Sequence, residues 1–279
     1  MCTEKAYLFD LNKKYDVFKK QNVYQKPNFI KKFETCPNTK GTGCLLSYKN
    51  RNVVILRGIS EKTVQVYDTE KEIVLMFDVG IVPAYLSGNI HGEIFAFTDE
   101  SGTEIKLHKI TDGTHFRTFF RGAKASEITS IAFDKYCLRM AVASTTDTVH
   151  VFSLPKELAL CGKSEEELKQ SIQTDESENC NSKSIPEALL ESRINEKRGF
   201  FGAFIQGSSH EKSYLKAYID SSEKQVAIHG NKLLILTKEG ELFSMDVQLE
   251  GHVYPTGTHL LNNFVLVDKT ESAAAKLLV

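Results

Sequence analysis

The sequence lacks the motifs of the common catalytic and metal-binding sites. It contains no G-x-S-x-G segment, no phosphate-cradling glycine loop before a helical pattern, and no pair of histidines or cysteines at metal-ligand spacing. The cysteines are scattered without a C-x-x-C pair: Cys2, Cys36, Cys44, Cys137, Cys161 and Cys180. We therefore expect a non-enzymatic protein with no catalytic residue, no metal site, no cofactor and no disulfide framework.

The chain also lacks an excess of charge of either sign and a long apolar run. Lysine and arginine number 35 against 36 for aspartate and glutamate, so no overall positive field favours nucleic acid, and any anionic ligand must be held by a local site. No apolar run approaches the ~20 residues of a membrane-spanning helix, and the N-terminal segment MCTEKAYLFDLNKK has no secretory core. We expect a cytoplasmic protein that binds no nucleic acid.

What the sequence does contain is a series of short alternating strands, each followed by a polar turn. The segments KTVQVYDTEKE, GTEIKLHKITDG, DTVHVFSLPKE and GELFSMDVQLEG all show the period-2 pattern of half-buried strands. Thr63, Thr103 and Thr148 occupy equivalent places in three of them, 40 and then 45 residues apart. This is the spacing of a four-stranded propeller blade. The repeat predicts an all-β, WD40-like β-propeller, with a β-sandwich as the alternative.

One stretch interrupts the repeat. From Pro155 to about Arg198 the chain is polar and acidic, with a single amphipathic segment, IPEALLESRI, that contains Leu189, Leu190 and Ile194. Such a stretch cannot supply a blade core, so it is either a disordered surface loop or a loop with one short helix. We expect a single propeller domain over residues 1–279 with an insertion at about 155–198. The remaining roughly 235 residues allow five to seven blades, and fewer than seven are favoured.

The stretch HFRTFFRGAKASEITSIAFDKYCLRMAVASTTDTVHVFSL, residues 115–154, resembles the signature region of the PROPPINs. These are WD40-like propellers of autophagy that bind phosphatidylinositol 3-phosphate and the 3,5-bisphosphate. In that family a Phe-Arg-Arg-Gly motif precedes an S-I-x-F strand and a Ser/Thr-rich turn ending in T-V-H-I-F. Here the matching residues are Phe119, Phe120, Arg121, Gly122, Ser130 to Phe133, Ser144, Thr146, Thr148 and His150. The chain resembles a divergent and shortened PROPPIN.

The resemblance implies two phosphoinositide pockets, one for each arginine of the motif. In the first pocket Phe120 stands in place of an arginine, and a phenyl ring supplies neither charge nor donor, so Thr98, Thr103 and Lys106 compensate only in part. The second pocket keeps its groups: Arg121, Ser144, Thr146, Thr148 and His150. A protonated histidine binds phosphate best, which predicts stronger binding near pH 6.

The functional expectation from the resemblance is a phosphoinositide-binding scaffold of autophagy and endosomal traffic. It would lie on autophagic, endosomal or vacuolar membranes as a peripheral protein and hold autophagy-related proteins. The acidic runs beside IPEALLESRI predict weak insertion into an anionic bilayer. The alternative is a WD40-like protein-interaction scaffold that has lost lipid binding, favoured by Phe120 and the shortened ring; an enzyme built on a propeller is the third alternative.

Overall fold

The N-terminal part of the chain forms two small sheets. The structure, a computed structural model, describes residues 4–10, 13–16, 21–24, 27–48, 51–155, 158, 211–247, 251–253 and 259–260. Strand β1 (Lys5–Asp10) pairs antiparallel with β4 (Asn28–Glu34), and β2 (Lys13–Asp16) pairs with β3 (Gln21–Tyr24). The β1–β4 sheet packs on the next sheet through Phe33, which contacts Val54 and Tyr67.

Four larger sheets follow in chain order, and we call them the first to fourth blades. The first blade contains β5 (Gly43–Tyr48), β6 (Arg51–Arg57), β7 (Thr63–Asp68) and β8 (Ile73–Asp78). The second contains β9 (Tyr85–Gly88), β10 (Ile94–Thr98), β11 (Glu104–Lys109) and β12 (His115–Phe120). Each is an antiparallel meander, because its successive strands are joined by short polar turns.

The third and fourth blades keep the same order but gain strands from further along the chain. The third contains β13 (Ile128–Phe133), β14 (Arg139–Ser144), β15 (Thr148–Ser153) and β17 (Leu215–Tyr218). The fourth contains β18 (Lys224–His229), β19 (Lys232–Thr237), β20 (Glu241–Asp246) and β22 (His259–Leu260). Two short strands add in parallel to outer edges: β16 (Glu211–Lys212) beside β12, and β21 (Gly251–Val253) beside β17.

The core consists of layers between neighbouring blades rather than of one central mass. One layer joins the first and second blades around Ile55 and Phe97, and the next joins the second and third around Phe119 and Phe152. A third layer joins the third and fourth blades around Val151 and Ile235. The innermost strands β5, β9, β13 and β18 follow one another in contact. Sheets that pack face to face around a centre are the architecture of a β-propeller, which confirms the predicted fold class.

The predicted repeat coincides with the blades. The four segments read as strands with polar turns become the third strands β7, β11, β15 and β20. Thr63 and Thr148 begin β7 and β15, and Thr103 immediately precedes β11. A second equivalence appears in the turns after the innermost strands, where Asn89 and Asp134 each accept two backbone N–H bonds through the side chain. The threonine period therefore marks one structural unit per repeat.

The insertion lies between the third and fourth strands of the third blade. The chain leaves β15 at Ser153 and returns at β16, while residues 159–210, with Leu189, Leu190 and Ile194, lie outside the described residues. The expected boundaries of a single domain with an insertion at 155–198 stay a prediction. In the described ranges, no helix has both the length and the apolar character to cross a bilayer.

The two ends of the described ranges lie in different sheets. The sequence predicts that the segment THLLNNFVLV supplies strands missing beside the N-terminal strands. Of this segment the structure describes His259 and Leu260, which pair with Leu242 and Glu241 in the fourth blade, while β1 pairs with β4. Residues 261–267 lie outside the described residues, so ring closure through this segment stays a prediction.

Candidate functional site

Arg121 lies at the turn from β12 into the third blade and is held from three sides. Its backbone N–H donates to the Thr103 carbonyl at 2.8 Å, its Nε donates to the Gly102 carbonyl at 2.6 Å, and its Nη2 donates to the Lys124 carbonyl. Only 5% of the residue is exposed. Alternation along β12 puts Arg121 on the same side as Phe119, which packs on Phe152 of the third blade. The guanidinium thus lies at the boundary between the second and third blades.

The predicted hydroxyl and imidazole groups form one continuous row. Ser144 Oγ is hydrogen-bonded to Thr146 Oγ1 at 2.8 Å, and Thr146 Oγ1 to Thr148 Oγ1 at 3.2 Å. Thr148 Oγ1 is hydrogen-bonded to His150 Nε2 at 3.2 Å, and His150 Nδ1 to Ser213 Oγ at 3.0 Å. The structure therefore brings together Ser144, Thr146, Thr148 and His150, and it adds Ser213.

The hydroxyl and imidazole groups of this row have one more polar hydrogen than the bonds among them use. A neutral imidazole and each of the four hydroxyl groups carry one polar hydrogen, so five groups hold five hydrogens. Four hydrogen bonds join them, which uses four of these hydrogens. One donor remains for an outside acceptor, and reversing the direction of the bonds moves that donor from one end of the row to the other.

The electrostatics of His150 contradict the premise of the predicted preference for pH 6. Burial, followed by the charges of Lys216 and Arg121, lowers the pKa of His150 to about 4. The free protein therefore holds a neutral imidazole at pH 6, so the premise of the prediction, a His150 that is already protonated near pH 6 before phosphate binds, is wrong. The strand sequence TVHVFS gave no sign of this, because burial comes from the neighbouring blade.

Two lysines close to the row were not predicted from the sequence. Lys216 on β17 is the cross-strand partner of His150, so both side chains project from the same face of the third blade. Lys224, which is 1% exposed, donates from Nζ to the Thr146 carbonyl at 2.8 Å and also to the Ser221 carbonyl. Lys216 therefore adds a second positive charge that acts on His150, after Arg121, and Lys224 fixes the turn that presents Thr146.

The residues assigned to the degenerate pocket are divided between two faces of the second blade. Lys106 is the cross-strand partner of Phe97, and Thr98 follows Phe97, so Thr98 and Lys106 project to opposite sides. Thr103 Oγ1 is hydrogen-bonded to Ser101 Oγ at 3.0 Å, and the Thr103 carbonyl accepts the backbone N–H of Arg121. The grouping of Thr98, Thr103 and Lys106 as one pocket therefore needs correction: only Lys106 shares the face of Phe120.

Part of the chain is similar in sequence to known proteins. Known protein-family profiles give no match to the chain. Autophagy-related protein 18e of Arabidopsis thaliana is 28% identical over 128 residues, which cover 45% of this chain and 34% of that protein. WD repeat domain phosphoinositide-interacting protein 2 of Mus musculus is 32% identical over 130 residues, which cover 43% of this chain and 28% of that protein. The resemblance to the PROPPINs is confirmed. The match spans about a third of the length of these PROPPIN relatives.

Solved structures support the fold of this PROPPIN-like chain. Kluyveromyces lactis Hsv2 with its complete loop 6CD superposes with a TM-score of 0.54 and 15% identity, covering 83% of this chain and 65% of that one. The complex of KlAtg21 with the coiled coil of AgAtg16 gives a TM-score of 0.53 and 14% identity, covering 88% and 64%. At such identities the likeness concerns the propeller fold alone.

Proposed function

We propose that this chain is a non-enzymatic propeller scaffold that binds phosphatidylinositol 3-phosphate or the 3,5-bisphosphate in autophagy and endosomal membrane traffic. In this proposal it is a cytoplasmic protein, peripheral on autophagic, endosomal or vacuolar membranes, that holds autophagy-related proteins. The observation that carries the proposal is the row Ser144–Thr146–Thr148–His150–Ser213 next to two cations, Arg121 and Lys216.

The chemistry of a phosphate monoester fits this arrangement. Such a group needs positive charge to offset its own and several donors for its oxygens. Arg121 keeps its charge at every physiological pH, and its Nη1 makes no hydrogen bond to any residue that the structure describes, so this nitrogen can donate outward. Lys216 supplies a point charge, and the hydroxyl row supplies a neutral donor whose position adjusts to the ligand.

One observation favours the second candidate, a protein-interaction scaffold without lipid binding. Two nitrogens of Arg121 already donate to backbone carbonyls, and the side chain is buried, as expected for an arginine with a structural role. Phe120 removes the other arginine of the motif. The two candidates differ in a single measurable property, the binding of phosphoinositide vesicles.

The test is flotation of the purified full chain with phosphatidylcholine vesicles that contain phosphatidylinositol 3-phosphate, the 3,5-bisphosphate or phosphatidylserine. We expect wild type to float with the phosphoinositide vesicles, and Lys216→Ala and Arg121→Ala to bind at least about tenfold more weakly. Lys216→Ala matters most, because Lys216 is half-buried and its side chain donates to no carbonyl within the described ranges, whereas loss of Arg121 frees two carbonyls.

The matched control is Lys232→Ala, which removes an exposed lysine at the start of β19 in the fourth blade. It should float like wild type, with an unchanged thermal midpoint. If wild type does not float with either phosphoinositide, the lipid-binding proposal is wrong and the scaffold without lipid binding replaces it. If Lys232→Ala binds as weakly as Lys216→Ala, the attraction is a general charge effect and the site assignment fails.

A further inference from the structure

The strand β16 lies where the second and third blades meet. It pairs in parallel with β12, with Phe119 opposite Glu211 and Phe120 opposite Lys212. The next residue, Ser213, reaches His150 of the third blade, and the chain then enters β17. The segment that returns from the insertion therefore contributes to the edges of both blades.

Alternation along this short strand sends its side chains to different faces. Glu211 shares the side of Phe119, which faces the third blade, and Ser213 is on that side as well, in agreement with its hydrogen bond to His150. Lys212 shares the opposite side with Phe120, because paired residues of neighbouring strands project from the same face. The Lys212 side chain is exposed and Phe120 is half-buried.

Other polar groups lie on this same face of the second blade. Lys106 is the cross-strand partner of Thr118, and Thr118 Oγ1 is hydrogen-bonded to His115 Nε2 at 2.8 Å. Glu104, the cross-strand partner of Phe120, places a carboxylate on this face as well. The described residues named above therefore place two lysines, a hydroxyl, an imidazole and a carboxylate on this face.

We propose that Lys212 supplies, from the neighbouring strand, the positive charge that Phe120 does not, so that Lys212, Lys106 and Thr118 bind a phosphate monoester on this face of the second blade. This inference rests on the proposed function, since it assigns a second anion contact to the same ligand class. In this arrangement the positive charge comes from β16, the strand paired with β12, rather than from β12 itself.

A lysine in this place would act as a point charge rather than as a planar fork. Its ammonium sits on a flexible four-carbon side chain, so it can reach the phosphate from β16 although the arginine of the motif would start from β12. Because an ammonium is more strongly hydrated than a guanidinium, it holds the phosphate less firmly. Glu104 opposes the phosphate by repulsion, because its carboxylate projects from the same face. Removal of that charge should therefore strengthen binding, whereas removal of Lys212 should weaken it.

The experiment compares Lys212→Gln, Lys212→Arg and Glu104→Gln with wild type in the full chain. The ligand probes are phosphatidylcholine vesicles with phosphatidylinositol 3-phosphate, and soluble inositol 1,3-bisphosphate measured by calorimetry. We expect Lys212→Gln to bind about fivefold to tenfold more weakly, Lys212→Arg to bind at least as well as wild type, and Glu104→Gln to bind about threefold more tightly. Phe120→Arg combined with Lys212→Gln should restore the lost affinity, because the arginine then supplies the missing charge.

The outcomes separate this inference from the proposed function. If wild type binds and Lys216→Ala weakens it, but Lys212→Gln binds like wild type, the inference is overturned while the proposed function stands. If wild type binds neither probe, both are overturned. An equal loss for Lys212→Gln on phosphatidylserine vesicles also overturns it, because Lys212 then acts only through surface charge. A loss with vesicles and with the soluble probe alike supports a headgroup contact; a loss with vesicles alone assigns Lys212 to the bilayer surface and overturns the phosphate contact.

Discussion

At the scale of single residues, His150 illustrates how burial changes chemistry. A histidine in water titrates near pH 6.5, but this one is 4% exposed and lies beside Lys216 and Arg121. Burial and the two positive charges all disfavour the charged imidazolium, so each of them lowers the pKa of His150. A bound phosphate would offset the two positive charges, so binding of the anion and uptake of a proton by His150 are coupled.

The first prediction concerns the pH dependence of stability. The folded pKa of His150, about 4, is lower than its unfolded value, so its neutral form is favoured in the fold. Stability from this group is complete above pH 6.5 and is lost as the pH falls from 6.5 towards 4, by up to about 3 kcal/mol. We expect urea unfolding at pH 7 and pH 4.5 to show this loss in wild type and a smaller one in His150→Gln.

Wild type must be compared with His150→Gln because His108 also has a lowered pKa, caused mainly by burial. His108 therefore lowers the stability of both proteins as the pH falls. Side-chain nitrogen NMR provides a direct measurement of the ring. We expect the His150 nitrogens of the free protein to stay in their neutral pattern from pH 8 to pH 5. A titration centred near pH 6.5 would contradict the burial argument.

At the scale of elements, the site depends on a turn whose backbone is closely packed. Gly102 has a φ of 57°, and a Cβ added there would lie 2.2 Å from the Ser126 carbonyl oxygen. Its own carbonyl accepts the bond from Arg121 Nε. Glycine is required at this position for two reasons, the left-handed backbone and the close approach of the neighbouring turn.

The second prediction compares Gly102→Ala with Gly230→Ala. Gly230 has nearly the same φ, 54°, but no atom lies within 4 Å of a Cβ added there. Both variants carry the strain of a left-handed alanine, and only Gly102→Ala adds a backbone clash, so it should be less stable by a further ~1–3 kcal/mol in urea unfolding. Gly102→Ala should also weaken vesicle binding, because the clash displaces the carbonyl that holds Arg121. Equal losses of stability would show that the turn relaxes freely.

At the scale of the whole molecule, the second and third blades are packed on both faces, whereas the N-terminal sheet is packed on one. Strands β10, β11, β14 and β15 contain many residues that are 0% exposed, among them Phe97, Leu107 and Val142. In the β1–β4 sheet, Tyr7, Phe9 and Phe29 are 46%, 48% and 59% exposed although their rings contact one another.

The third prediction follows from that difference. Hydrogen exchange followed by mass spectrometry should find the slowest amides in β10, β11, β14 and β15, and exchange at least about a hundredfold faster in β1 and β4. The reason is that opening a middle blade exposes two apolar layers, whereas opening the N-terminal sheet exposes one. Uniform protection over all these strands would mean that the described part of the chain unfolds as a single cooperative unit.

The strands, the blade repeat and four of the five members of the hydroxyl row could be predicted from the sequence. Period-2 alternation and turn spacing are local properties, so Thr63, Thr103 and Thr148 mark equivalent places in any fold that keeps these strands. Ser144, Thr146, Thr148 and His150 lie within one hairpin, so the group that the PROPPIN resemblance implied is local in the sequence.

Other groups of the two proposed phosphate sites come from distant segments and are brought there by sheet pairing. Ser213 and Lys212 follow the insertion, and no local pattern relates them to His150 or Phe120 until β16 pairs with β12. The same is true of the neutral state of His150 and of the separation of Thr98 from Lys106. Sheet pairing and burial are relations between distant segments, and their energies arise only when blades pack against one another.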